Sequence, residues 1–80
     1  MNNLYVDVPN YVSDTEGYKG AMKIGNDYCV VFKHGEDDFS YWITDDITDG
    51  SSGGSCRGNI EEVFEELKDT KFIKATELIK

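Results

Sequence analysis

An α+β fold is predicted for this chain of 80 residues: a small antiparallel sheet of four to five strands with one amphipathic helix packed on one face. Strand-forming segments separated by short turns occupy residues 18–44, which is typical of an antiparallel meander. Apolar residues at helical spacing follow at 60–67, and a further apolar segment comes after them. The expected order is ββββαβ, in a single domain over residues 1–80, because this length supports one hydrophobic core.

Four strands are expected before the helix. The first lies at residues 4–8, where apolar and polar side chains alternate until Pro9, which lacks a backbone N–H donor. The second and third, at residues 18–24 and 28–33, are joined by a Gly-Asn-Asp turn whose residues tolerate positive φ. The fourth, at residues 39–44, is rich in aromatic and β-branched side chains.

One helix covers only one face of such a sheet, so the other face is expected to stay wet or to meet a partner. Gly20 in the middle of the second strand indicates a bulge or a close approach of the backbone. The second face would then turn tyrosines or Trp42 toward solvent. Expected on the core face are Met22, Ile24, Val30 and Phe32.

The helix is expected to begin after Asn59, a good N-cap, with Glu62 three residues later as in a capping box. Its apolar stripe comprises Ile60, Val63, Phe64 and Leu67. Phe72 breaks this stripe, and the Asp-Thr pair at 69–70 offers an end to the helix. Residues 72–78 are therefore expected to form a final strand.

An Asp/Gly/Ser-rich loop is expected at residues 45–58, where Ile47, Cys56 and Arg57 are the exceptions to a small, polar composition. A structureless loop of this length is uncommon in so small a domain and is usually either functional or disordered. It is open to interpretation as a flexible connector, a partner-contacting loop or a phosphate site before the helix N-terminus. The glutamates in the first helical turn count against phosphate because they repel it.

The overall charge excludes several classes of function. The chain carries 8 Lys+Arg against 16 Asp+Glu, a net charge of −8 with His34 neutral. Direct binding of nucleic acid needs a basic surplus, and none is present. The apolar run at 28–32 is far shorter than the roughly 18–20 residues of a membrane span. Residues 1–4 have neither the basic region nor the apolar core of a signal peptide, so a cytoplasmic protein without membrane contact is expected.

Sites for metals, cofactors or nucleophiles find little support. A calcium loop starting at Asp45 would put Ile47 and Cys56 at positions that require Asp or Asn and Glu. Two cysteines and one histidine are too few for a structural zinc site. Cys29 and His34 point to opposite faces of an ordinary strand, which leaves Cys56 with His34 as the one route to a cysteine-dependent enzyme. We expect no cofactor and no catalytic activity.

The arrangement of the carboxylates is the most informative feature. Glu61/Glu65, Glu62/Glu66 and Glu65/Asp69 are like-charge pairs at i,i+4, each of which costs an isolated helix roughly a few tenths of a kcal/mol. Further carboxylates stand at both ends of the fourth strand, beside two aromatic residues suited to anchor an interface. The candidate partner-binding residues are Asp37, Asp38, Tyr41, Trp42, Asp45, Asp46, Asp49, Glu61, Glu62, Glu65, Glu66 and Asp69.

Grouped carboxylates steer a protein toward a basic partner and can stand in for phosphates. The leading hypothesis is a small acidic inhibitor, encoded by a phage or mobile element, that blocks a basic nucleic-acid-binding protein. Such a protein would be of anti-CRISPR or anti-restriction type, with DNA mimicry as one mode of action. The alternatives are an immunity or antitoxin protein for a nuclease toxin, and an accessory domain with an ordinary solvated acidic surface. Either a monomer or a homodimer is compatible with these interpretations.

Overall fold

A computed structural model describes residues 5–79. The four strands form one antiparallel sheet in the order β1-β2-β3-β4, with helices before and after them. The predicted α+β class is thereby confirmed. The elements are α1 (Asn10–Ser13), β1 (Tyr18–Ile24), β2 (Asp27–Gly35), β3 (Asp38–Thr44), β4 (Gly54–Gly58), α2 (Ile60–Lys68), a 3-10 turn (Ile73–Ala75) and α3 (Thr76–Ile79).

The hairpin of β1 and β2 forms where its turn residues predict it. Gly25 adopts a φ of +64°, which glycine reaches without strain. The register of the two strands shifts between Tyr18 and Gly20, which is the bulge that Gly20 indicates. A Cβ on Gly20 would lie 3.3 Å from a methyl carbon of Leu78, so the close approach of α3 also requires a small residue there.

Both faces of the sheet are apolar and both are covered, which corrects the expectation of a wet second face. On the helix face, α2 and α3 pack over residues that include Met22 and Val31. On the other side, here called the N-terminal face, Val12 of α1 and Ile47 pack over Val30. A second apolar face has to be shielded from water, and the segment before β1 does this because it folds back over the sheet.

The predicted core face mixes residues from both sides of the sheet. Met22 and Ile24 lie on the helix face, whereas Val30 and Phe32 lie on the N-terminal face. Met22 is paired with Cys29, and side chains alternate along a strand, so the residue after Cys29 must point to the opposite side. A continuous apolar run such as residues 28–32 serves two cores at once.

The first predicted strand, at residues 4–8, is wrong apart from one bridge. Tyr5 pairs with Met22 of β1 as an isolated antiparallel bridge, and the regular ladder does not continue. Leu4 lies outside the described residues. Pro9 has no N–H to donate, and it marks the point at which the chain leaves the sheet edge and enters α1.

The final predicted strand, at residues 72–78, is also wrong, because this segment is helical. Phe72, Ala75 and Ile79 are buried at i, i+3 and i+7 and pack on the helix face. The buried residues therefore return to helical spacing after a break, and they do not alternate as they would in a strand. At that break, the Phe72 N–H donates to Thr70 Oγ1 at 3.0 Å, which fixes the turn between α2 and the C-terminal helix.

Residues 45–58 do not form one loop, because the last five are β4 and pair with β3. The Gly-Ser-Cys-Arg-Gly sequence of β4 contains no β-branched or aromatic residue, so propensity does not indicate a strand. The part before β4 is anchored to the N-terminal face by Ile47, which is buried there. The Tyr11 hydroxyl donates to the Ile47 carbonyl oxygen at 2.9 Å and ties this turn to α1.

The predicted start of α2 is confirmed in detail. Asn59 Oδ1 accepts from the Glu62 N–H at 2.9 Å, and Glu62 Oε1 accepts from the Asn59 N–H at 3.2 Å, which completes the capping box. Asp37 adds a third contact, since its Oδ1 accepts from the Ile60 N–H at 3.1 Å. The turn between β2 and β3 is thus bound to the first turn of α2.

Replacing Gly53 by Ala should destabilise the fold by about 1–3 kcal/mol, because Gly53 has a φ of +93° and an added Cβ would collide with the Ile43 carbonyl oxygen. Gly50→Ala is the matched control, since nothing lies within 4 Å of a Cβ built there. We expect it to change stability by less than about 0.5 kcal/mol. Urea unfolding measures the stability of both variants. Equal unfolding midpoints would contradict the backbone conformation and close packing described for Gly53.

Candidate functional site

Four of the predicted site residues converge on one groove beside β4. Glu61, Glu62, Glu65 and Glu66 line a depression of about 400 Å³, together with Cys56. All four glutamates are exposed. We call this depression the acidic groove. Because α2 packs on β3 and β4, the groove follows the side of the helix that meets the end of the sheet.

The acidic groove carries little compensating charge. Lys68 Nζ lies 2.8 Å from Glu65 Oε2, an i,i+3 ion pair that relieves part of the predicted repulsion along α2. Among residues 5–79, no lysine or arginine forms an ion pair with Glu61, Glu62 or Glu66. Burial raises the pKa of the Cys56 thiol on the strand below, and the charges of Glu66 and Glu62 raise it further.

Two further helix-associated carboxylates lie outside the groove lining. Asp37 is engaged with the start of α2, as described above. Asp69 occupies the C-cap of α2 and is exposed. A helix C-terminus carries negative partial charge, so a carboxylate there is unfavourable for the helix. Asp37 thus stabilises the start of α2, whereas Asp69 is unfavourable at its end.

Asp38 is joined to Arg57, the only arginine of the chain, by a bidentate ion pair. Arg57 Nη2 donates to Asp38 Oδ2 at 2.8 Å, and Nε donates to Oδ1 at 3.1 Å. The hydrogen bonds and charge of Arg57 hold the pKa of Asp38 below its ordinary value. The pair connects β3 to β4, so neither side chain is a free charge for a partner.

The three loop aspartates fold their own turns. Asp46 and Asp49 each accept two hydrogen bonds and Asp45 accepts one, all from a serine or threonine at 2.6–3.0 Å, and such bonds stabilise turns in place of backbone ladders. The hydroxyl and backbone N–H of Thr48 hold the pKa of Asp46 below its ordinary value. The partners are Ser52 for Asp45, Thr48 for Asp46 and Ser51 for Asp49.

The two predicted aromatic anchors lie on opposite faces of β3. Tyr41 is 8% exposed within the helix-face core, where burial, Cys56 and Glu66 raise its pKa. It is therefore a core residue that leaves little of its side chain on the surface for a partner. Trp42 is half-buried on the N-terminal face, and its Nε1 donates to the Ser52 carbonyl oxygen at 2.7 Å.

A second depression, which sequence reasoning missed, opens on the N-terminal face with a volume of about 480 Å³. We call it the aromatic cavity. Its floor includes Phe32, Trp42, Ser55 and Arg57, contributed by three adjacent strands, and Tyr11 closes one side. The alternation of side chains along β2 and β3 is the sequence signal that places Phe32 and Trp42 on one face. It does not by itself predict a cavity, because the walls come from β4 and from the segment before β1, neither of which was predicted in its place.

The pairing of Cys56 with His34 is not formed. Cys56 is paired with Tyr41 in the sheet and its side chain packs on the helix face. Both Cys56 and His34 border the aromatic cavity, but no hydrogen bond joins them. There His34 Nε2 lies 2.7 Å from Ser40 Oγ, and its ring stacks on Phe32 with centroids 6.1 Å apart. Within residues 5–79, no group of three or more His, Cys, Asp or Glu side chains is arranged to hold a metal ion.

Comparison with known proteins gives no relative: no family model matches this chain, and no curated protein or solved structure does so either. None of the helices in the described part of the chain has the length and apolar character needed to cross a bilayer. The candidate site therefore rests on its own geometry, namely the acidic groove on one side of β4 and the aromatic cavity on the other.

The two thiols should differ strongly in reactivity. Burial raises the pKa of Cys29 to about 12, and this side chain is fully buried, so iodoacetamide at pH 8 should modify it only when the protein opens. Cys56 is partly exposed and should react first. Glu66→Gln should accelerate Cys56 because it removes a neighbouring negative charge. Peptide mass mapping over time measures both rates, and equally fast modification of Cys29 would contradict this packing.

Arg57→Gln should raise the pKa of Asp38 toward its ordinary value of 3.8. A carboxyl with a lowered pKa in the folded state stabilises the fold above its unfolded pKa, and this contribution is lost as pH falls through the folded value. Carboxyl-carbon NMR titration below pH 5 measures the shift. Lys71→Gln, which removes the ion pair to Asp27, is the control that should leave Asp38 unchanged. An unaltered titration of Asp38 in Arg57→Gln would contradict the ion pair.

Proposed function

We propose that this protein is a small acidic inhibitor that uses the acidic groove to bind a basic nucleic-acid-binding protein, in the manner of an anti-CRISPR or anti-restriction protein. The observation that carries the proposal is the convergence of four exposed glutamates on one groove, with a single ion pair to them among residues 5–79. A protein channel that binds phosphates presents the complementary charge.

The spacing of these carboxylates supports mimicry of a nucleic-acid strand. Glu61 to Glu66 cover six residues, or about 9 Å of helix axis at 1.5 Å per residue, which gives one charge per about 2.3 Å. Duplex DNA carries one charge per about 1.7 Å of its axis. The charge density along α2 is thus of the same order as that of DNA.

The segregation of charge across the sheet also supports the proposal. Three lysines stand on β1 and β2, and two of them lie over aromatic rings: Lys23 Nζ is 5.3 Å from the Tyr28 centroid and Lys33 Nζ is 5.6 Å from that of Phe39. The acidic groove lies at the other end of the sheet, beside β4. The three strand lysines thus stand on strands other than β4, and Lys68 of α2 pairs with only one of the four groove glutamates. A protein with a net charge of −8 therefore presents a largely uncompensated negative field at the groove to a basic partner.

The test is a cleavage assay with purified guide-loaded CRISPR nucleases and restriction endonucleases. The proposal predicts that the protein inhibits at least one of them, that excess duplex DNA relieves the inhibition, and that added salt weakens it. Inhibition that is insensitive to salt and leaves DNA binding intact would remove the mimicry. Failure against every nuclease in the set would count against the proposed target class.

Neutralising the groove should slow association without unfolding the protein. Glu61, Glu65 and Glu66 changed together to Gln reduce the net charge from −8 to −5 and leave the capping residue Glu62 intact. At low salt we expect the association rate with the inhibited nuclease to fall about tenfold or more. Stopped-flow binding measures the rate, and circular dichroism verifies the fold.

The matched control removes the same amount of charge elsewhere. Asp7→Asn, Asp14→Asn and Glu16→Gln together also bring the net charge to −5, and these exposed residues precede β1. This variant should associate within about twofold of the wild-type rate, since the groove is unchanged. Equal slowing by both variants would mean that total charge, and not the acidic groove, determines recognition.

A further inference from the structure

β4 is an open edge of the sheet. It is the last strand in the order, and among residues 5–79 nothing pairs with its outer side. The other edge differs, because Tyr5 bridges to Met22 of β1. The outer side of β4 therefore presents unpaired backbone N–H and C=O groups, which are a template for another strand. Gly54, Ser55 and Arg57 are exposed along it.

The two depressions described above lie on either side of this edge. Cys56 of β4 borders both depressions, and its side chain packs on the helix face, where the acidic groove lies. Ser55 and Arg57, its neighbours in the strand, line the aromatic cavity on the N-terminal face. Alternate side chains of any strand added to β4 would consequently face one depression or the other, because side chains alternate along a strand.

We propose that an extended segment of the basic partner adds to the edge of β4 as a fifth strand, with basic side chains in the acidic groove and apolar side chains over the aromatic cavity. This inference rests on the proposed function and names the part of the partner that is recognised. Addition of a strand to a sheet edge gives affinity through main-chain hydrogen bonds and specificity through pockets for alternate side chains.

The chemistry of the two sides sets the alternation. Four glutamates on one side require lysine or arginine in the incoming strand. On the other side, Trp42 and Phe32 offer apolar surface, and the one carboxylate that Arg57 contacts there, Asp38, is already held by it in an ion pair. Because β4 has five residues, it spans about 17 Å, and the recognised segment has a similar length.

A second copy of this chain is a poorer occupant than a basic segment. Pairing of β4 with β4 of another molecule would bring two acidic grooves together, each lined by the same four glutamates. The Gly-Ser-Cys-Arg-Gly strand also supplies no large apolar side chain for the cavity, and its one cation, Arg57, is already paired with Asp38. Charge complementarity thus favours a basic partner over self-association.

The test uses an acetylated and amidated peptide, Lys-Val-Lys-Val-Lys-Val-Lys, titrated into the isotope-labelled full chain. Binding should shift the amide signals of β4 and slow hydrogen exchange of those that point outward. Lys-Lys-Lys-Lys-Val-Val-Val is the composition-matched control and should bind about tenfold more weakly or worse, since it cannot satisfy both depressions. Equal affinity of this control would overturn the proposal.

Backbone methylation separates strand addition from simple charge attraction. Only alternate residues of an added strand point their N–H groups toward β4. Of two peptides, one N-methylated at every valine and the other at the two internal lysines, one should bind like the parent and the other about tenfold more weakly. Parent-like binding by both, or loss of binding by both, would overturn the proposal. A dimer of this chain in sedimentation that the peptide does not dissociate would overturn it too.

Failure of this inference differs from failure of the proposed function. If the peptides do not bind but neutralising the acidic groove still abolishes nuclease inhibition, strand addition is wrong and the inhibitor function stands. If the alternating peptide binds as expected but the Glu61, Glu65 and Glu66 variant inhibits like the wild type, the proposed function is wrong and the edge site stands.

Discussion

The fold depends on one constraint: a four-stranded sheet that is apolar on both faces has to be shielded from water on both sides by a short chain. The residues after the sheet cover one face through α2 and α3, and the residues before it cover the other through α1. Ile47, between β3 and β4, reinforces the second cover. With its flanking segments used in this way, the described chain has nothing left to place along the edge of β4.

This division of the chain explains why the candidate site lies around β4. The N-terminal cover ends short of β4, so the aromatic cavity remains open between Tyr11 and the strands. On the other face, α2 crosses β3 and β4 with its apolar stripe inward, which leaves its glutamates along the margin. Three contacts at its start, from Asn59, Glu62 and Asp37, fix the position of the helix and therefore of those carboxylates.

The caps, turns and bulges could be predicted from the sequence, whereas the segments that cover the two faces of the sheet could not. The capping box, the turn before β2 and the Gly20 bulge each depend on a few adjacent residues, and each was predicted. The C-terminal helix was missed because Thr70 interrupts the stripe and Phe72 restarts it. The groove glutamates were identifiable because they share a helix face. The aromatic cavity was not, since it joins three strands to Tyr11, whose docking depends on a distant hydrogen bond to Ile47.

The acidic groove links stability to recognition. Glu61 and Glu62 lie in the first turn, where the helix dipole favours them, but Glu66 and Asp69 lie where it does not. The capping contacts offset this repulsion and allow α2 to stay formed while it remains highly charged. A cation held in the groove would relieve that repulsion, and such relief exists only in the folded protein. Repulsion among the groove carboxylates therefore lowers the stability of the free protein, and its relief strengthens the complex with a basic partner. A ligand that binds only the folded state adds its binding free energy to the stability of that state.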